Sequence, residues 1–143
     1  MSTRPPFVDP KTGQSYDASK PNFEGWLTKQ SEWLKDWRKR YFILKGSKLF
    51  FAKDMSGAPH GMIDLSICMT VKSAELKAGK KNAMEVSTAD TMFYMFADSE
   101  KQKDEWIGAI GRAIVQSSST FTAENGEDVD DASGSEDGSD DEE

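Results

Sequence analysis

A basic cluster is the part of this 143-residue chain whose residue types and spacing are best suited to chemistry. Eight Lys and Arg fall between Lys29 and Lys53, against two acids, Glu32 and Asp36. Lys29 closes one alternating segment and Arg38, Lys39 and Arg40 open the next, with a short polar loop carrying Trp33 and Leu34 between them. Guanidinium and ammonium groups so close together suit a polyanion, because their N–H donors match phosphate oxygens. The strand period of two decides where they point. Arg38, Arg40, Phe42 and Leu44 share one face, Trp37, Lys39, Tyr41 and Ile43 the other, and Leu27 shares a face with Lys29. With Leu27, Phe42 and Leu44 turned to the core, Lys29, Arg38 and Arg40 turn inward too, at strand ends beside the loop. Inward cations are tolerable only where the fold opens to water and an anion. A cationic mouth is expected, each charged hydrogen bond to a bound phosphate contributing roughly 1.5–3 kcal/mol.

The neighbouring groups carry weaker expectations. Lys35, Lys39, Lys45, Lys48 and Lys53 read as solvent lysines that add a diffuse attraction to anionic bilayers, about 1 kcal/mol each at best. Trp33 and Leu34 either enter a bilayer interface, which suits an amphipathic ring, or fold back over the barrel. Trp26, Trp37 and Trp106 read as core or near-core residues. His60 is the single histidine and has no cysteine at ligand spacing, so neither a metal site nor a cofactor is expected. No nucleophile signature or Gly-rich phosphate loop is present, and no enzymatic activity is expected.

The elements that must position the cluster follow from periodicity. Alternation runs over 24–30 and 37–44, and a third strand over 48–53 follows a Lys45-Gly46-Ser47 turn. Further strand-like pieces are expected at 61–65, 69–74, 83–87 and 91–96, separated by turns at 78–82 and 89–90. Seven short strands at regular spacing imply an antiparallel sandwich or barrel. The period then changes once. Ser99 with Gln102 forms a capping box, and Trp106, Ile107, Ile110, Ala113 and Ile114 repeat at helical spacing. One amphipathic helix after seven strands needs an apolar surface to cover, which an open end of the barrel supplies. Gly108 and Gly111 each weaken that helix by about 1 kcal/mol relative to Ala, so packing must hold it.

Composition divides the chain in three. Residues 1–21, with Pro5, Pro6, Pro10, Gly13 and Pro21, read as an extended leader. Residues 22–118 read as one domain. Residues 119–143 form an acidic tail expected to be disordered, with eleven acids and no base after position 123. The overall charge of −7 therefore conceals a basic folded part, about +4 over residues 1–123, with eighteen bases against fourteen acids. The tail has three readings: a solubilising segment, a phosphorylation target at Ser133 and Ser139, or a tethered competitor of the basic mouth. Cys68 stands alone, so no intrachain disulfide forms, and it reads as a small buried apolar residue. The first ten residues lack an apolar core segment, so no secretory signal is expected. The apolar run 92–97 is too short to span a bilayer. A cytoplasmic protein with peripheral membrane association is expected.

Three segments, in order, carry a family resemblance. Phe23-Glu24-Gly25-Trp26-Leu27-Thr28-Lys29, Trp37-Arg38-Lys39-Arg40-Tyr41-Phe42-Ile43-Leu44, and Ala97-Asp98-Ser99 ahead of Trp106-Ile107 resemble a pleckstrin-homology domain. The resemblance covers about residues 22–118 and implies a mainly β fold: a seven-stranded antiparallel barrel or sandwich capped by one C-terminal helix. Lys29, Arg38 and Arg40, with Tyr41 and Phe42 following, resemble the signature of members that bind 3-phosphorylated phosphoinositides. The chain is also similar to small plant-type proteins built on one such domain, which makes phosphatidylinositol 3-phosphate the first expected ligand. Two departures point to a less phosphorylated lipid. Leu49-Phe50-Phe51 stands where a third-strand tyrosine is usual, and His60 replaces a basic residue. The resemblance implies a monomeric, reversible membrane adaptor at endosomal or plasma membrane, with Trp33, Leu34, Lys35, Lys39, Lys53 and His60 as accessory contacts. Its rival is a protein-interaction module of the same fold with weak lipid specificity. Nucleic acid is not an expected partner, since the tail repels it and no aromatics interleave a basic strand face.

Overall fold

The computed structural model describes residues 4–117, and the acidic tail lies outside them. Strands β1 (Phe7–Val8) and β2 (Ser15–Tyr16) form a small antiparallel hairpin. Seven further strands follow: β3 (Phe23–Gln30), β4 (Trp37–Lys45), β5 (Lys48–Ala52), β6 (Gly61–Asp64), β7 (Cys68–Ser73), β8 (Ala83–Thr88) and β9 (Met92–Phe96). They make one antiparallel sheet in the order β6-β5-β4-β3-β9-β8-β7. The sheet is not closed, and bends into a sandwich with β6 and β7 at its edges. Helix α1 (Glu75–Ala78) is a single turn between β7 and β8, and α2 (Glu100–Ser117) is the long C-terminal helix. All seven expected strands are present, within a residue or two of their expected bounds.

The inner core gathers the alternate residues of the strands: Leu27, Phe42, Leu44, Leu49, Phe51, Ile63, Met84, Val86 and Met95. Helix α2 closes it from one end. Ser99 Oγ accepts from the Gln102 amide at 3.1 Å, which fixes the helix start, and Trp106, Ala109, Ile110 and Ala113 face inward. Trp106 meets the Phe23 ring edge-on at 4.7 Å, at the first residue of β3. The helix therefore sits against the end of the sheet where β3 begins. Loops 31–36, 53–60 and 89–91 gather at the other end, since antiparallel order returns the end of β3, β5 and β8 to one side.

The segment read as an extended leader instead folds onto the sheet. Phe7, Ala18, Tyr41, Ile43, Phe50 and Ala52 form a second buried cluster on the outer face. The Phe7 ring lies 5.8 Å from Phe50 and 6.1 Å from Tyr16. Tyr41, Ile43 and Phe50 point away from the inner core, so without a cover they would meet water. The hairpin supplies the cover, and Lys45 anchors its return by an ion pair of 2.7 Å to Asp17.

A cationic rim opposite the helix

Lys29 and Arg38 are direct partners across β3 and β4, and Leu27 faces Arg40 one pair further along the same side. The parity argument thus places Lys29, Arg38 and Arg40 on the inner face, at the end away from α2. Burial follows the same gradient. Lys29 is 6% exposed, whereas Arg38 and Arg40 are half-buried.

Aromatic rings hold the buried ammonium. Lys29 Nζ stands 5.0 Å from the Phe51 centroid and 5.6 Å from Phe93, and donates to the Gln30 carbonyl at 3.4 Å. Ring faces offer a partial negative charge that offsets some of the lost hydration. Arg38 pairs with Asp36 at 3.2 Å, and Arg40 donates to the Lys39 carbonyl at 2.9 Å. His60 looks onto the same group. Burial first, then the charges of Arg40, Lys53 and Lys29, push its imidazole down from 6.5 to about 4. His60 is accordingly neutral near pH 7, and its ring packs edge-on against Phe51 at 5.2 Å. His60 and Lys29 share a neighbour in the Phe51 ring.

The accessory residues separate. Trp33 is 83% exposed and Leu34 60%, so the pair projects from its loop rather than folding back over the barrel. The loop beneath them is tightly closed. The buried Ser31 donates its amide to the Asp36 carbonyl at 2.8 Å and receives the Asp36 amide on Oγ at 3.2 Å. Lys35 adopts a left-handed φ of 60° to complete the turn. Lys53 begins the 53–60 loop beside His60 and is exposed. Lys39 lies on the outer face, where it approaches Asp98 at 3.8 Å and stacks over Trp26, away from Arg38 and Arg40. A neighbouring cleft of ≈ 370 Å³ between the 31–36 and 89–91 loops mixes Lys35 with Glu32 and Asp90 and does not include the three inner cations. The acids in that cleft, Glu32 and Asp90, make it a poor place for phosphate.

Sequence reasoning missed the ring pair beneath Lys29. Phe51 was visible only as the absence of a tyrosine hydroxyl, and Phe93 carried no signal because its contact crosses from β9. Cys68, expected to be buried, is partly buried, and burial pushes its thiol up to about 12, so it stays protonated at neutral pH.

An open antiparallel sheet of seven strands, one capping C-terminal helix and basic residues at the far end define the class of fold. The PH domain family model matches residues 21–115, and the chain belongs to the pleckstrin-homology domain family. Over 110 residues the chain is 44% identical to the pleckstrin homology domain-containing protein 1 of Arabidopsis thaliana, covering 73% of this chain and 76% of that protein. It is 34% identical to a RAC family serine/threonine-protein kinase homolog of Dictyostelium discoideum, but spans only 19% of that protein's length and 59% of its own. Among solved structures, the C-terminal PH domain of pleckstrin in complex with D-myo-Ins(1,2,3,4,5)P5 is 35% identical, with a TM-score of 0.55 over 64% of this chain and 96% of that one. Domains of this family commonly bind phosphoinositides or proteins and are generally non-catalytic. Among the described residues no helix is long and apolar enough to cross a membrane.

Proposed function

We propose that the rim binds a phosphoinositide headgroup and recruits the protein reversibly to membranes, with a 3-phosphorylated lipid, phosphatidylinositol 3-phosphate first, as its ligand. The observation that carries this reading is the pairing of a nearly buried Lys29 with Arg38 across the register, with Arg40 on the same face. Two features support a headgroup with few phosphates. Phe51 offers a ring where a hydroxyl would add a contact, and His60 contributes no charge near neutral pH. Asp36 further offsets Arg38. The solved pleckstrin domain, crystallised with an inositol pentakisphosphate, lends weight to an inositol phosphate as the ligand class.

Trp33 and Leu34 stand on the same end and would enter the interface while the headgroup is held, with Lys35 and Lys53 facing anionic lipid. The test is a liposome panel that varies the number and position of phosphates at fixed total charge. Preference for the 3-phosphate over equally charged isomers supports the reading. Binding that follows charge alone, or a fold that binds no vesicle and captures only proteins, rejects it in favour of a protein-interaction module.

A further inference from the structure

We propose that the N-terminal hairpin is a brace for the headgroup site, with Arg4 as the positioning residue that holds the 53–60 loop against the rim. The proposal deepens the reading above and rests on it. The hairpin lies before residue 21, where the match to the PH domain family begins.

Arg4 joins four parts of the molecule. Its guanidinium donates to the Ala18 carbonyl at 3.0 Å, at the hairpin's return, and to the Met55 carbonyl at 2.7 Å, within the 53–60 loop. It meets Glu24 of β3 at 3.4 Å and lies 5.7 Å from the Tyr41 ring of β4. The side chain is only 10% exposed. A planar fork with five fixed donors suits such divergent acceptors, and a lysine could satisfy fewer of them at once.

The 53–60 loop depends on outside support. Asp54 closes its first turn by accepting from the Ser56 and Gly57 amides at 3.1 and 2.6 Å, and the His60 amide returns to the Phe51 carbonyl at 2.9 Å. Residues 53–58 are otherwise almost entirely at the surface. Arg4 ties the middle of this stretch to the body. His60, at its far end, packs edge-on against Phe51 at 5.2 Å, the same ring that lies 5.0 Å from the Lys29 ammonium, and Lys53 opens the loop. Phe7 and Ala18, buried against Phe50 and Ala52, keep the hairpin seated so that the arginine has a fixed base.

The experiment compares wild type, Arg4→Ala, Arg4→Lys and a rim control, Arg38→Ala with Arg40→Ala, all in the full chain. Two quantities are read: affinity for phosphatidylinositol 3-phosphate vesicles, and hydrogen exchange of amides 54–58, at a temperature where circular dichroism shows each variant folded. Arg4→Ala is expected to weaken binding roughly 3- to 10-fold, a displaced charged contact being worth about 1 kcal/mol, and to speed exchange in the loop. Arg4→Lys keeps the charge and should recover affinity only in part. Full recovery would show that Arg4 acts as a charge alone and would overturn the brace. Wild-type affinity in a folded Arg4→Ala would overturn it as well. Failure of the underlying reading looks different, because the rim control would then bind as wild type does, and the brace would fall with it as a device of that site.

Discussion

The Lys29 ammonium stands 5.0 Å above the Phe51 ring, on the inner face of a sheet whose other inner residues are almost all apolar. An ammonium on that face contributes affinity when an anion arrives. Lys29→Met keeps the stem's volume and removes the charge. It should weaken phosphoinositide binding about 10- to 100-fold, the equivalent of one charged hydrogen bond. A fall in stability with binding intact would assign Lys29 to the core instead.

Gly61 opens β6 directly under that ring. A Cβ at this position would meet Phe51 Cζ at 2.2 Å. The ring has no room to retreat, being buried against Phe42 and His60. Gly61→Ala should therefore destabilise the fold by about 1–3 kcal/mol and disturb Lys29 with it. Denaturant unfolding with vesicle binding at low temperature measures both effects. A variant as stable as wild type would mean that the ring moves freely.

Trp33 and Leu34 make few contacts with the body, so replacing both by serine should leave the unfolding midpoint in place. Vesicle binding should fall roughly tenfold or more, since burying one large apolar side chain contributes about 1.5–3 kcal/mol. Affinity for the soluble inositol phosphate should not change, because that ligand never meets the loop tip. Equal losses toward soluble and vesicle ligands would place the pair in the headgroup site.

His60 gives a pH signature. Its folded value of about 4 lies below the ordinary 6.5 because of burial, with Arg40, Lys53 and Lys29 adding to it. Between those values the unfolded chain takes up a proton that the folded protein refuses, so stability falls as pH drops through this window. The ring is only partly exposed, and solvent screening holds the effect to about 1 kcal/mol. Asp17 and Glu75, held below the usual carboxylate range by Lys45 and by the Asn82 amide and Lys103 respectively, lose their contributions only at lower pH. His60→Gln should flatten the unfolding midpoint between pH 6.5 and about 4. An unchanged slope would assign the loss to another group.

Much of this molecule could be read from its residues, because most of its determinants are local. Alternation located the seven strands, Ser99 located the helix start, and period-two parity placed Lys29, Arg38 and Arg40 on one face. The N-terminal hairpin could not be found this way. Its strands are two residues each, too short for any period, and it is held by Phe7 against Phe50, distant in sequence. The same gap hid the outer cluster: Tyr41 and Ile43 alternate correctly, yet parity alone cannot say that both faces of β4 are covered. Helix α1, one turn ended by Gly79 at a φ of 68°, fell in the unassigned stretch between the strand expected at 69–74 and the turn expected at 78–82, because a single turn carries no period.

A chain cut at residue 21, the edge of the family match, would leave the apolar outer side of β4 and β5 without its cover. Strands bearing Tyr41, Ile43, Phe50 and Ala52 bare to solvent tend to self-associate. The residues that cover this face therefore lie ahead of the stretch by which the family is recognised.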